Sequence, residues 1–269
     1  MRIIRGIADA VIWRVAMDRI YISIDIFDAT PGKHTMKNCS LVYPFYNNQN
    51  AVDAHCRLWN SYPESVMRRL CIIAVDDGSN PPLRFDIDMR LPFILLRVTE
   101  DIRWNQPGAK NLEMKFVPTE WALLTDADHM LSGEMAEKLL DFSPAAGSIY
   151  IPARLRGGAP CHPHPNTFII RTTDFFAING YDEDFCGNYG HDDLFFTEKA
   201  RRQFTIESLD RIVLHNDQEL GTPDADRNHK KNKHLLKKKL AQLAKNRYTV
   251  PRMIRFNWEI SAMNPPLLP

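Results

Sequence analysis

The chain has 269 residues, of which 44% are hydrophobic and 25% are charged, and its formal net charge is +1. This length suits one large α/β domain with appendages or two small domains, and the composition excludes a disordered or fibrous protein. The five cysteines are an odd number without Cys-x-x-Cys spacing, so neither a disulfide framework nor a zinc site is indicated. A reducing compartment such as the cytoplasm is the simpler expectation.

The charge is unevenly distributed along the chain. Residues 227–255 contain eleven Lys and Arg and no acidic residue, which leaves 23 basic against 33 acidic residues elsewhere, a balance of −10. An acidic body therefore carries a basic tail. The tail has three interpretations: contact with nucleic-acid phosphates, contact with an anionic lipid surface, or a solvated helix face that balances the acidic body.

The first 37 residues predict an N-terminal extension. Isoleucines and valines alternate there with Arg and Asp in the pattern of an amphipathic helix, unlike the uncharged core of a signal peptide. No apolar run in the chain is long enough to span a bilayer.

The next part of the chain alternates apolar strands with helical patterns. Strands are predicted at 39–45, 69–75, 93–98 and 121–125, and helices at 107–116 and 134–140, with a further helix capped by Asn47 and Asn48 and continuing through Trp59. This alternation predicts a doubly wound, mostly parallel central sheet with flanking helices.

The second half of the chain has a less regular pattern, and we expect it to form the part of the domain that faces the substrate. Strands are predicted at 148–152 and 167–171 and a helix at about 191–202. The Lys-rich segment 227–247 predicts a helix that docks on the body through a leucine stripe (Leu235, Leu236, Leu240 and Leu243) and carries a basic outer face, followed by a short tail at 256–259.

The segment 123–130 is an apolar run that ends in two carboxylates, Asp126 and Asp128. In an extended segment the residues i and i+2 point to the same side, so both carboxylates can converge on one hard cation, whose shell substrate phosphates would complete. Their position after a strand is where open α/β sheets bind ligands. The alternative is a solvated loop with an ordinary Asp-x-Asp sequence.

A second acidic segment, Asp76-Asp77-Gly78-Ser79, closes another strand. A carboxylate there can accept hydrogen bonds from a nucleobase imide or a ribose hydroxyl, while the glycine permits a tight turn. The alternative is that Asp-Gly only forms the turn.

Three segments in this order (42–47, 75–79 and 125–128) resemble the nucleotide-sugar half of the family 2 glycosyltransferases of GT-A fold. Segments 179–185 and 190–194 resemble the acceptor-side motifs of that family, so that the resemblance covers about residues 39–217. The resemblance implies a GT-A catalytic domain at 38–220, divided into a nucleotide-sugar half (38–130) and an acceptor half (131–220). The remaining chain would be the extension 1–37 and a basic helical segment 221–269.

The resemblance also implies residue roles. The donor-binding residues would be Pro44, Tyr46, Asp76, Asp77, Arg103, Lys110, Asn111 and Asp126, and the ligands of Mn²⁺ or Mg²⁺ would be Asp126, Asp128 and His215. The catalytic base would be Asp192 or Asp193, which stand where the family has a Glu-Asp pair, and position favours Asp192. The alternative is that both aspartates only cap a helix.

The alternative for His215 is a structural histidine that binds no metal. His162 and His164 could contact an acceptor or lie in a stiff surface loop, and the loop is preferred. Trp104 is assigned to packing rather than to a sugar platform.

The implied activity is that of a hexosyltransferase: a sugar, from a UDP-sugar by preference, passes to an acceptor hydroxyl with inversion. The acceptor is a glycan or, through the basic helix, a hydroxymethylated base in DNA as in phage-type enzymes. A lipid-linked acceptor with peripheral membrane association, a location in the host cytoplasm for a viral enzyme, and a metal-dependent nuclease or phosphatase stay open. So does a non-catalytic module that binds nucleotide or nucleic acid.

Overall fold

The computed structural model describes residues 38–85, 88–221 and 227–264, and the amphipathic helix predicted for the first 37 residues lies outside these ranges. The strands are β1 (Cys39–Phe45), β2 (Leu70–Asp76), β3 (Phe93–Val98), β4 (Trp121–Leu124), β5 (His129–Met130), β6 (Ser148–Arg156), β7 (Ala159–Cys161), β8 (Phe168–Arg171), β9 (Thr205–Asn216) and β10 (Trp258–Asn264). The helices are α1 (Gln49–Asn60), α2 (Glu64–Met67), α3 (Gln106–Lys115), α4 (Gly133–Leu140), α5 (Thr172–Ala177), α6 (Asp192–Ala200) and α7 (Lys230–Ala244), with 3₁₀ turns at Glu183–Phe185 and Gln218–Leu220.

The first half of the sheet is parallel, as predicted. β1 lies between β2 and β4 and runs parallel to both, and β3 runs parallel to β2. Every residue of β1 is buried, and alternate side chains enter two different cores. Leu41 and Tyr43 pack in the core that includes α1, while Val42 packs in the core that includes α3. The doubly wound arrangement is confirmed by these two cores.

The second half of the sheet is mixed. β8 is antiparallel to β4, β6 is antiparallel to β8, β9 is parallel to β6, and β5 is antiparallel to β9. Over the described ranges, ten strands form one sheet in the order β10-β3-β2-β1-β4-β8-β6-β9-β5, with β7 beside β6. The long strand β9 was not predicted from the sequence, because most of its first seven residues are exposed and its apolar pattern is weak.

The predicted tail at 256–259 is instead the start of an edge strand. β10 pairs antiparallel with β3, and its residues alternate between half-buried and exposed. Trp258 packs against the ring of Phe116 at 5.2 Å. The last part of the described chain therefore belongs to the central sheet, which corrects the interpretation of 221–269 as a purely helical segment.

The basic helix α7 docks on the body, but the leucine stripe is only half-buried. Its buried residues are polar. Asn232 Nδ2 donates to the carbonyls of Phe185 and Asn188 at 2.9 and 2.7 Å. Lys239 Nζ lies 2.6 Å from Asp182 Oδ2 and 2.7 Å from Asp184 Oδ2. Polar anchors therefore hold the helix, and its outer face is basic and exposed as predicted.

None of the helices in the described part of the chain combines the length and the apolar character that crossing a bilayer requires.

Candidate active site

A cleft of about 470 Å³ lies at the carboxyl ends of the parallel strands β1 and β4. Loops that follow parallel strands meet at one edge of a sheet, so this is the expected place for a ligand. The lining residues include Pro44, Trp104, Gln106, Asp126, Asp128, His164, Asn166, Tyr189, His191, Asp192, Asp193, Arg227 and His229. Two predicted groups, the Asp-x-Asp pair and the candidate bases, thus share one cleft.

Asp126 lies directly beyond β4 and is held by cationic and polar groups. Its Oδ1 lies 2.8 Å from Lys110 Nζ and accepts a hydrogen bond from Gln106 Nε2 at 2.8 Å. Burial raises the pKa of this carboxyl, but the charge of Lys110 and its hydrogen bond to the carboxylate, together with the other groups around it, outweigh burial and lower the pKa. Asp126 is therefore ionised at neutral pH.

Asp128 is held by donors on both oxygens. Its Oδ1 accepts from His129 Nδ1 at 2.7 Å and its Oδ2 accepts from Asn216 Nδ2 at 2.8 Å. Burial opposes ionisation, but the hydrogen bonds from His129 and Asn216 and the other groups around the carboxylate together outweigh burial and lower the pKa of Asp128 to about 2. Both carboxylates of the pair are therefore anions in fixed positions.

The peptide between these carboxylates is fixed from inside the core. The ring of His55, on α1, is buried, and its Nε2 lies 2.8 Å from the carbonyl oxygen of Ala127. Burial lowers the pKa of His55 to about 4, so a neutral ring donates from Nε2. No local sequence pattern distinguishes His55, because its contact is with main chain 72 residues away.

A divalent cation fits this pair of carboxylates. Both side chains line the cleft and keep a fraction of their surface accessible, 19% for Asp126 and 28% for Asp128. Hard cations such as Mn²⁺ and Mg²⁺ prefer ionised carboxylate oxygens and share their shell with substrate phosphates. Within the described ranges, no group of three or more His, Cys, Asp or Glu side chains is arranged to hold a metal ion.

The position of His215 does not support its predicted role as a third ligand. His215 is exposed on β9, while its neighbour Asn216 is buried and reaches Asp128. Consecutive strand residues point to opposite sides, so His215 is directed away from the pair. His164, which the sequence analysis assigned to a surface loop, instead lines the cleft with its Nε2 3.5 Å from Asp126 Oδ2. Burial lowers the pKa of His164 to about 4, which keeps its ring neutral.

The candidate bases stand at the first turn of α6. Asp192 is 6% exposed, and its Oδ2 has no hydrogen-bond partner among the described residues. Burial, and then the neighbouring charge of Asp193, raise the pKa of Asp192. Asp193 is more accessible and its Oδ1 accepts from the backbone N–H of Leu194 at 2.8 Å. The buried, unpartnered oxygen of Asp192 is the exceptional feature of this wall of the cleft.

The two aspartates that close β2 have different surroundings. Asp76 accepts backbone hydrogen bonds from Ser79 and Leu83 at 2.9 and 3.0 Å, so its carboxylate holds the loop. Asp77 accepts from Asn105 Nδ2 at 2.7 Å, and burial raises its pKa to about 7. Gly78 has φ +82°, and a Cβ there would lie 2.5 Å from the carbonyl oxygen of Glu100, so this turn requires glycine.

The remaining predicted donor residues separate into two groups. Pro44 lines the cleft, and the fully buried Lys110 ties Asp126 to the carbonyl oxygen of Asn166 at 2.9 Å. Tyr46 and Arg103 are not among the residues that line the cleft. The hydroxyl of Tyr46 donates to Asp101 at 3.1 Å, and Arg103 is exposed.

Asn111 and the acidic motif 182–184 are engaged in structural contacts. Asn111 Nδ2 donates to Glu183 Oε1 at 2.9 Å and its Oδ1 accepts from the backbone N–H of Tyr181 at 2.8 Å. Asp182 and Asp184 bind Lys239, and Asp182 also accepts from the hydroxyl of Tyr248 at 2.9 Å. These residues join α3 to the second half and to α7.

Two aromatic rings that were not predicted as site residues lie in the cleft. Trp104, assigned above to packing, and Tyr189 both line it, and their ring centroids are 4.6 Å apart at an interplanar angle of 52°. Tyr189 lies between Gly187 and Gly190, both at positive φ, a local signal of a shaped loop.

Solved structures with a similar fold include the S. aureus TarS fragment 1–349, which is 16% identical over 66% of this chain with a TM-score of 0.52. The same fragment in complex with UDP-GlcNAc matches 69% of this chain at 14% identity and a TM-score of 0.54. The chain spans 60% of the length of that fragment. A further similar structure is the mannosyltransferase PcManGT from Pyrobaculum calidifontis in complex with GDP-Man and Mn²⁺. The match covers 91% of this chain and 74% of the mannosyltransferase chain, at 13% identity and a TM-score of 0.52.

The chain has the GT-A glycosyltransferase fold. At these identities the likeness establishes the fold, and the cleft occupies the edge of the GT-A sheet formed by the ends of the parallel strands. No protein-family model and no curated protein sequence matches the chain.

Proposed function

We propose that the chain is a metal-dependent glycosyltransferase that moves a hexose from a UDP-sugar to an acceptor hydroxyl with inversion. The observation that carries the proposal is that Asp126, Asp128 and Asp192 line one cleft at the carboxyl edge of the GT-A sheet. Similar folds bind UDP-GlcNAc in TarS and GDP-Man with Mn²⁺ in PcManGT, which supports a nucleotide-sugar donor.

The donor would occupy the part of the cleft near β1 and β4. Pro44 lines this part of the cleft and would contact the base. Asp77 is buried and is not among the residues that line the cleft, and it would accept a hydrogen bond from uracil or ribose at the end of β2. Asp126 and Asp128 would hold Mn²⁺ or Mg²⁺ together with the diphosphate. Such an ion supplies positive charge for the departing nucleoside diphosphate. Lys110, which already neutralises Asp126, adds a fixed cation behind the same carboxylate.

The acceptor would approach from α6. Asp192 Oδ2 takes the proton of the acceptor hydroxyl, the hydroxyl oxygen forms a bond to the anomeric carbon, and the bond from that carbon to the diphosphate oxygen breaks. One displacement from the face opposite the leaving group inverts the anomeric centre. A raised pKa suits this role, since a base works best when its pKa is close to the working pH.

A DNA acceptor, with the sugar passing to a hydroxymethylated base, is the second candidate. The exposed basic face of α7 favours it, because a row of lysines attracts phosphates. A buried oxygen without a hydrogen-bond partner, such as Oδ2 of Asp192, lowers stability unless a ligand binds to it. A non-catalytic binding module with the same fold would not need this oxygen, so its presence favours an enzyme.

The test is thermal stabilisation by UDP, GDP, ADP and CDP, each with and without Mn²⁺. A ligand that binds only the folded state raises the melting temperature by mass action, so we expect a Mn²⁺-dependent shift with UDP. Asp128→Ala should lose that shift and all turnover of UDP-sugars while it stays folded. Asp210→Asn, which removes an exposed carboxylate on β9, is the matched control.

A UDP shift that does not require Mn²⁺, or one that survives in Asp128→Ala, would contradict the metal assignment. Stabilisation by a different nucleoside diphosphate would change the assignment of the donor nucleotide. If none of them stabilises the chain, the proposal that it is a glycosyltransferase is contradicted.

A further inference from the structure

The wall of the cleft next to Asp192 carries an aromatic surface. The rings of Trp104 and Tyr189 contact each other at 4.6 Å, and both line the cleft. They come from two different loops, which are joined by a 2.8 Å hydrogen bond from the N–H of Gly187 to the carbonyl of Arg103. The pair is therefore a surface assembled by tertiary structure.

The backbone on both sides of this surface is held in an unusual conformation. Trp104 has φ +50° and His191 has φ +69°, and neither residue is glycine. Such conformations are unfavourable for residues that have a side chain, and they concentrate at binding sites. Both strained residues line the cleft.

Positive charge begins where the aromatic surface ends. Arg227 and His229 line the cleft, and the ring of His229 is 5.5 Å from that of His191. Immediately after them, α7 exposes the lysine face, which consists of Lys230, Lys231, Lys233, Lys237 and Lys238. All five lysines are exposed, whereas the helix buries Asn232 and Lys239 against the body.

We propose that the acceptor is an anionic oligosaccharide. One sugar ring packs on Trp104 and Tyr189 and presents its hydroxyl to Asp192, while acidic groups on further units bind Arg227 and the lysine face. This proposal rests on the proposed function, because it assigns the acceptor of that same cleft.

The ring geometry favours a sugar over a nucleobase. An extruded base is usually gripped between two flat faces, whereas Trp104 and Tyr189 meet at 52° and form an angled surface. A pyranose offers an apolar C–H face to such a surface and hydroxyl groups at its edge to the carboxylate. The leucines of α7 face the body, so the lysine face offers charge without the apolar side chains of a membrane-inserting helix.

Calorimetric titration of the full chain with three probes tests the proposal. The probes are a heparin hexasaccharide, the uncharged maltohexaose, and a single-stranded oligodeoxynucleotide of similar charge. We expect the heparin hexasaccharide to bind about tenfold or more tightly than maltohexaose. Trp104→Ala and Tyr189→Ala should each weaken its binding about tenfold, which corresponds to about 1.4 kcal/mol.

Three further variants separate the effect of stacking from the effects of folding and of charge. Tyr189→Phe keeps the aromatic ring and should keep the affinity. If Tyr189→Ala lost affinity only through misfolding, this result would not be informative about stacking, so the preserved affinity of Tyr189→Phe together with the loss in Tyr189→Ala identifies the ring as the contact. Lys237→Gln with Lys238→Gln should weaken binding and reduce its salt dependence. Arg68→Gln with Lys138→Gln removes the same charge from exposed positions, one just after α2 and one on α4, and should leave binding unchanged.

The proposal is overturned if the aromatic variants bind the heparin hexasaccharide like the unaltered chain, or if the oligodeoxynucleotide shows the same dependence on Trp104. The second outcome would indicate a nucleic-acid acceptor. The titrations contain no nucleoside diphosphate, nucleotide sugar or metal. A failed UDP shift would therefore contradict the proposed function without deciding whether the heparin hexasaccharide binds the aromatic surface.

Discussion

At the residue scale, Asp192 combines burial with an unsatisfied oxygen. Burial raises the pKa of its carboxyl, so that a larger fraction is protonated near neutral pH than for an exposed aspartate. A general base must be ionised to accept a proton. The rate of transfer should therefore fall as pH drops through this raised pKa.

We expect Asp192→Asn to reduce transfer about 10² to 10⁴-fold, the usual contribution of a general base. The measurement is UDP release with an acceptor across a pH series, alongside the UDP-induced thermal shift. The shift should persist in the variant. If Asp193→Asn gives the larger loss instead, the neighbouring carboxylate is the base.

Asp77 gives a second prediction at this scale, for stability. Burial raises its pKa to about 7, whereas an unfolded chain gives aspartate a pKa of about 4. Ionised Asp77 therefore destabilises the folded state increasingly as pH rises from about 4 to about 7, and the cost is absent below that window. Asp77→Asn keeps an acceptor for Asn105 and removes this cost.

The free energy of unfolding of Asp77→Asn should therefore exceed that of the unaltered chain by an amount that grows to a few kcal/mol as pH rises from about 4 to about 7. One pKa unit corresponds to about 1.4 kcal/mol. Urea unfolding at several pH values measures the difference, with Asp210→Asn as the control for losing an exposed carboxylate. A constant difference at all pH values would contradict the raised pKa.

At the scale of elements, α7 is attached by polar anchors rather than by its leucines. Lys239 is buried against Asp182, which is itself fully buried. Removing one member of a buried ion pair leaves the other charge uncompensated, at a cost of about 3 to 5 kcal/mol.

Lys239→Ala should therefore destabilise the docking of α7 by about 3 kcal/mol. Hydrogen exchange of the amides of α7 and of the turn 183–185 reports this loss directly. Lys238→Ala, one residue away on the exposed side, should change stability by less than about 0.5 kcal/mol. Equal exchange in both variants would show that the leucines carry the docking.

At the scale of the whole molecule, the described C-terminal chain closes one end of the sheet. β10 covers the edge of β3, and Trp258 packs on Phe116. An uncovered edge strand offers unpaired backbone groups to other chains.

A chain that ends at Asn257 should lose about 2 to 4 kcal/mol of unfolding free energy and should self-associate. Urea unfolding and light scattering measure the two effects, and a chain that ends at Asn264, which keeps β10, is the control. An unchanged unfolding midpoint in the shorter chain would show that β10 contributes little to the stability of the sheet.

The sequence by itself determined the elements whose signal is local. The bounds of β1 and β3 were predicted to the residue, and Asn48 caps α1 as expected, with its Oδ1 accepting from Ala51 N–H at 3.0 Å. Apolar runs that end in Asp, Gly or Asn depend on near neighbours only, so they can be read without the fold. The same signals predicted the Asp126–Asp128 pair at the end of β4.

The tertiary structure alone decided which side chains meet. It brought His164 rather than His215 toward Asp126, because strand alternation directs His215 to the other side of β9. It engaged Asn111 in contacts with Tyr181 and Glu183, and it assembled Trp104 with Tyr189 across two loops. Contacts between residues far apart in the chain depend on strand order and register, which no local pattern encodes.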